Sequence, residues 1–321
     1  MSSPGNPLMP HSLSTFTGEV FHYTSSTGLL GSLNHRSVWA SAASSLNDLG
    51  EVRQGWELIR TILAAHPASE AVDMLAGFAN DPLKRQDEVF VLSASVDGDD
   101  AAQWRLYADE GRGYAIGLDG SAALAVVSEV PDPAPSAGKP SIGKLVKDHA
   151  SVSPWHRVLY QQSDVETAVR ELVVAVEAEV SQIVSTSGMP DDDLTVAYEE
   201  VQGQAYDALA TIAHLIKSPG FVGENEVRVV VTFMMGEEHI RYRAAAHGIV
   251  GYAVLAESPG GARWTVMRPV PGMRAVVTSL PVTSVRLGPL LREEQASTMK
   301  GFLRSLDLRH VDILTSDVPL R

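Results

Sequence analysis

The run Gly223-Glu224-Asn225-Glu226-Val227-Arg228, leading into Val229-Val230-Val231, constrains this chain more than any other segment. Its valines read as a strand, and successive strand side chains point to opposite faces. Glu224 and Glu226 therefore share one face, and Arg228 follows them on it. Two like charges about 7 Å apart are unfavourable unless something uses or neutralises them. Arg228 can neutralise one and water the other, as on charged edge strands; the alternative is that the pair is kept for chemistry. Phe21-His22-Tyr23-Thr24-Ser25 has the same character near the start of the chain. There His22 and Thr24 share one strand face and Tyr23 takes the other.

With 45% hydrophobic and 20% charged residues, the 321-residue chain has the makeup of a soluble globular protein. It has no cysteine, which excludes disulfides, thiolate zinc sites and a cysteine nucleophile. A net charge of −14 argues against a broad phosphate-binding surface. Residues 1–18, rich in Ser, Pro and Gly, lack the basic and apolar regions of a signal peptide and read as a flexible tail. The longest apolar stretch, Ala244 to Ala256, is about a third too short to span a bilayer. These features lead us to expect a cytoplasmic protein without a membrane segment.

Strands are expected over Glu19–Ser25, Ser37–Ala42, Glu88–Ser95, Tyr114–Leu118, Val227–Phe233, Ile240–Ala244, Met273–Thr278, Val282–Leu287 and Val311–Leu314. Helices are expected from Thr27, through Val52, Trp56, Ile59 and Leu63, over Ala68–Ala79 and Ala101–Ala108, and over Glu293–Ser305. Ser163–Ser185 and Asp192–Ile216 read as two long helices joined by Ser187-Gly188-Met189-Pro190. They form a helical hairpin, at about 163–216, inserted into a single domain over 19–321. Pro131–Pro140 is a candidate exposed loop and Leu46-Asn47-Asp48 part of a turn cluster. Strands and helices mix without regular βαβ alternation. The expected class is α+β, a mixed, mostly antiparallel sheet with flanking helices.

Trp104 and Tyr107, three apart on a short helix, should share a face. Gly111-Arg112-Gly113 is too short for a dinucleotide fingerprint, and no Walker loop, zincin helix, nucleophile elbow or calcium loop is present. The acidic runs Asp97–Asp100 and Asp191–Asp193 both stand where a helix begins, so capping explains them better than metal binding. No metal site is expected.

In this order, several of these segments resemble a bacterial family, domain of unknown function 2971. The likeness runs through His22-Tyr23-Thr24, Leu46-Asn47-Asp48, Ser93-Ala94-Ser95, Trp104, Tyr107, Gly113-Tyr114 and Ile116-Gly117. It continues through Lys217, Phe221, Glu224-Asn225-Glu226-Val227-Arg228, Pro281, Leu287-Gly288-Pro289, Ser316, Pro319 and Arg321. The helical hairpin is the least alike. Leu49-Gly50 departs from the family's Pro and bulky residue after Asn-Asp, and Val227 stands where an aromatic is common.

More loosely, the His-x-Thr strand and the late Glu-x-Glu strand resemble the ADP-ribosyltransferase fold in its toxin and phage-defence branches. That resemblance implies an enzyme cleaving NAD, its co-substrate, at the nicotinamide–ribose bond, through an oxocarbenium-like centre that a carboxylate stabilises. In that role Glu226 is the first candidate, Glu224 would orient or deprotonate the acceptor, and His22, assisted by Thr24, would bind a ribose hydroxyl. Tyr107 or Tyr114 would pack on the nicotinamide, and Arg228 or Arg112 would meet the pyrophosphate. The acceptor would be an unidentified protein or nucleic acid. This site requires the strands of His22 and Glu226 to be neighbours facing one cleft. The alternative is a non-catalytic module of the same fold that senses a nucleotide or binds a protein. In it, the Glu224–Arg228 pair is an internal salt bridge and the helical hairpin an interaction surface.

Overall fold

The structure is a computed structural model that describes residues 6–45, 49–80, 89–129, 150–185, 191–233, 237–245, 248–259, 266–269, 276–292 and 294–319. Val89–Ser95 (β3) is the hub of its mixed sheet, twelve-stranded among the described residues. On one edge β3 pairs along its whole length with Glu226–Phe233 (β8), from Val89↔Thr232 to Ser95↔Glu226. Its other edge is divided. Val38–Ala42 (β2) pairs at Phe90 and Val91, and Glu19–Thr24 (β1) pairs at Ser95, opposite Phe21.

Beyond β1 come Tyr114–Asp119 (β4), Val282–Leu287 (β11) and Asp312–Thr315 (β12). Beyond β2 comes Gly248–Glu257 (β10), which carries Leu124–Val126 (β5) and Arg241–Ala245 (β9) on its far side. Ala150–Val152 (β6) and His156–Arg157 (β7) line the outer edge of β8. β11 and β12 run parallel, and the other named pairs are antiparallel. This is the α+β class expected from the sequence.

The helices divide between the two faces. Leu49–Ala64 (α2), Glu70–Asn80 (α3), Gln162–Ser185 (α5) and Asp191–Leu215 (α6) cover the face that presents Val89, Val91 and Val230. Ser26–His35 (α1) and Glu294–Ser305 (α7) cover the face that presents Phe90, Leu92, Val229 and Val231. α5 and α6 form the expected hairpin. Close packing of α2 on α6 depends on Gly55, where a Cβ would lie 2.9 Å from the Ala213 carbonyl oxygen. A third cluster, Phe21, Tyr23, Trp104, Ala108 and Ala115, sits under Ala101–Tyr107 (α4) and Val318. Asp99 holds the end of the chain there, accepting from Trp104 Nε1 at 2.7 Å, Ser316 Oγ at 2.5 Å and the Asp317 amide at 2.8 Å.

Four expectations need correction. Residues 6–18 are packed rather than a free tail, because Leu8 and Leu13 are buried in the helical core. Asn6 donates to the Gln204 carbonyl and the Phe16 amide to Trp155. The long β10, where no strand was expected, takes up most of the apolar stretch Ala244–Ala256 and ends at Glu257; the apolar run hides its period. Val276–Thr278, expected in a strand, is irregular. Trp104 and Tyr107 do not share an environment: Trp104 is buried against Tyr23, while Tyr107, the last residue of α4, is 42% exposed. Asp100 does cap α4, accepting from the Ala102 and Gln103 amides at 2.8 Å each. The expectations for Leu46–Asp48, Pro131–Pro140, Ser187–Pro190, Met273–Ala275 and Arg321 lie outside the described residues. No described helix is long and apolar enough to cross a membrane.

Candidate functional site

Every residue of β8 is buried, so a charge on it must find an opposite charge and hydrogen bonds. The approach to β8 supplies them. After α6 the chain passes Lys217 and the 3-10 turn Pro219–Glu224, whose first amides are capped by Ser218. It then reverses at Asn225, which takes a left-handed φ of 45°. This brings Lys217 back against the start of the strand. Its Nζ lies 2.7 Å from Glu224 Oε2 and 2.7 Å from Glu226 Oε2, with the Phe221 ring 4.9 Å away.

Arg228 completes the cluster. It donates from Nε to Glu226 Oε1 at 2.7 Å, from Nη2 to Glu226 Oε2 at 3.1 Å, and from Nη1 to the His214 carbonyl at 2.7 Å. Both carboxylate oxygens of Glu226 are thus occupied, and the residue is 8% exposed. Its backbone amide donates to Tyr160 Oη at 3.3 Å, and Ser95 Oγ donates to the Glu224 carbonyl at 2.9 Å. Burial alone would push the Glu226 carboxyl up, but the charge and hydrogen bonds of Arg228 and then Lys217 outweigh it and hold the carboxyl at about 2. Burial likewise works against the Lys217 ammonium, yet its two carboxylates raise it above the usual lysine range. Two carboxylates and two cations leave the cluster neutral.

His22 belongs elsewhere. The residue of β1 in register with Ser95, and through it with Glu226, is Phe21. His22 is the next residue along, and directly opposed residues share a sheet face while neighbours along a strand do not. His22 and Glu226 therefore stand on opposite faces, with β3 between their strands. The expectation that one cleft would join them is corrected. The reason is register: β3 intervenes, and one residue of offset at the Phe21↔Ser95 pairing sets the face.

His22 Nδ1 lies 3.0 Å from the Ser93 carbonyl oxygen, an acceptor, so this nitrogen carries the proton and Nε2 is the lone-pair side. Burial lowers its pKa, opposed by that hydrogen bond. Thr24, on the same face, fits against α1 because residue 28 is glycine; a Cβ there would lie 2.0 Å from Thr24 Oγ1. Tyr114, paired with Thr24, is buried in the sheet core, and burial raises its phenol. It is not an open stacking surface. Arg112 is exposed and faces Glu110 at 3.6 Å, while Arg228 is consumed by Glu226; neither forms a joint phosphate site with the other.

In the sequence Lys217 stands within the family likeness without a role, and nothing there singles out Tyr160 or His214. Lys217 and Tyr160 converge on Glu226 from separate segments, which no local spacing reveals.

The fold and the cluster together define an α+β sheet domain with a buried, neutral ion-pair lock at the start of β8. Residues 103–229, less than half of the chain, match the family model described as "Protein of unknown function (DUF2971)". The matched span runs from α4 to β8 and includes Lys217, Glu224, Glu226 and Arg228, as well as the hairpin expected to be least alike. No curated protein and no solved structure matches the chain.

Proposed function

We propose that this chain is a non-catalytic, cytoplasmic recognition module that senses a nucleotide or binds a protein partner. The observation that carries this reading is the occupation of Glu226. A carboxylate that must stabilise a developing cation needs that cation as its partner, and Arg228 and Lys217 already fill both of its oxygens. Glu224, the other carboxylate, is likewise held by Lys217.

Two features give recognition a place. His22 offers the lone pair of Nε2 beside Thr24, a suitable acceptor for a ribose hydroxyl. The α5–α6 hairpin exposes Val174, Val184 and Val196, with Val184 73% accessible, which suits contact with a protein.

NAD titrated into the wild-type protein by calorimetry, alongside an assay for released nicotinamide, separates this reading from NAD cleavage. The module releases no nicotinamide above a protein-free control. Saturable NAD binding at or below about 1 mM, roughly −4 kcal/mol, that weakens in His22→Ala identifies the nucleotide arm. Its absence leaves the protein-binding arm. Nicotinamide release that disappears in Glu226→Gln would overturn the module and restore the transferase.

A further inference from the structure

α6 is fastened to β8 at two points two helical turns apart. At one end the His214 carbonyl accepts from Arg228. At the other, Asp207 Oδ1 lies 2.5 Å from Thr232 Oγ1, and Ser151 on β6 also hydrogen-bonds the Asp207 carboxyl. Asp207 is 4% exposed, and among the described residues its carboxyl is hydrogen-bonded by the hydroxyls of Thr232 and Ser151.

Several charged groups on the elements packed around it are engaged elsewhere. On β8, Arg228 is held by Glu226 and the His214 carbonyl. On α2, Arg60 donates to the Ala79 carbonyl, and on α3, Glu70 accepts from Tyr198 Oη. α5 presents its apolar row Val165, Val169, Leu172 and Val176. On α6 itself, His214 is buried with Nδ1 2.7 Å from the Ala210 carbonyl oxygen, which makes that nitrogen the donor. A carboxylate taken out of water without a cation is far costlier than a neutral carboxyl that donates to a hydroxyl.

We infer that Asp207 is a proton-controlled pin: the α5–α6 hairpin docks on β8 through a carboxyl that carries its proton, so its docking weakens as pH rises toward neutrality. Burial pushes this carboxyl up to about 7, with the hydrogen bonds of Thr232 and Ser151 opposing. In the undocked helix the same group ionises in the ordinary carboxylate range. A group raised in the docked state contributes its full stabilisation below the undocked value and loses it as pH climbs to the docked one. The loss therefore falls between about pH 4 and pH 7 and levels off above. This holds whichever partner the hairpin meets.

The test is native-state hydrogen exchange of α6 amides, corrected for intrinsic rates, in the full-length wild type and in Asp207→Asn from pH 5 to pH 8. Comparison with the variant cancels the titration of His214, which both proteins share. The protection of the variant relative to wild type is expected to rise by up to about tenfold per pH unit to pH 7 and then to level off. A ratio that stays constant over this range would overturn the inference. Should the variant fail to fold, infrared titration of the wild type decides instead. A buried protonated-carboxyl band that disappears with a midpoint near 7 supports the pin, and the lack of that band at pH 5.5 contradicts it.

Discussion

His22 and Glu226 stand two strands apart on opposite faces of the sheet, because it is Phe21 that falls in register with Glu226 across Ser95. Residues that share a site couple when both are changed, by about 0.5–3 kcal/mol, whereas independent residues add to within about 0.5 kcal/mol. The destabilisations of His22→Ala and Glu226→Gln should therefore add in the double variant. Urea denaturation of the four proteins measures this, and a coupling above about 1 kcal/mol would show that the two act together.

Acid should destabilise the protein progressively rather than in one step. The Glu226 carboxyl is held at about 2 in the fold against 4.5 when free, so its stabilisation is complete above 4.5 and is lost as pH falls from 4.5 to 2. At about 1.4 kcal/mol per unit, this amounts to about 3 kcal/mol. His214, lowered by burial to about 4 from 6.5, is lost in the same direction between 6.5 and 4. Asp207, raised to about 7 from 3.8, gains stability over nearly the same interval as pH falls. The two slopes oppose each other on one helix. His22, also lowered by burial, adds a loss that Asp207 does not offset, so denaturation midpoints should decline gently as pH falls from about 6.5 to 4 and continue to fall below, where Glu226 is protonated. In Asp207→Asn, which lacks the opposing slope, the decline below pH 6.5 should be steeper than in the wild type.

Gly28 is fixed by Thr24. A Cβ at residue 28 would stand 2.0 Å from Thr24 Oγ1, so Gly28→Ala should cost about 1–3 kcal/mol through overpacking. In a Thr24→Ala background the same change should be neutral or stabilising by up to about 1 kcal/mol, since alanine is the better helix former. Thermal melts of the single and double variants measure the relief. Equal cost in both backgrounds would show that the contact is not what selects glycine.

Much of the fold was legible because it is written locally. The period of α2 through Val52, Trp56, Ile59 and Leu63, the Asp100 cap and the two long hairpin helices all depend on residues near one another. β10 was not legible as a strand, since its sequence from Gly248 to Ala256 is apolar at almost every position and lacks the alternation that marks a half-exposed strand, although only residues 253–256 are continuously buried. The site divides in the same way. That Glu226 and Arg228 share a face follows from alternation within β8, whereas Glu224, expected on the same strand, joins them from the 3-10 turn before it. That Lys217 neutralises both carboxylates depends on how the chain reverses at Asn225. That His22 lies on the far face depends on which strand separates β1 from β8, a matter of topology that no motif spacing encodes.

Urea denaturation of Glu226→Gln beside the wild type at pH 7 tests the central claim most directly. If Glu226 is the centre of a structural lock, removing its charge leaves Arg228 and Lys217 buried with a single carboxylate between them. The variant should then lose about 3–5 kcal/mol with the slope of the transition unchanged. Residues kept for catalysis are commonly neutral or costly to stability. A Glu226→Gln protein as stable as the wild type, or more so, would contradict the lock and return Glu226 to the chemistry.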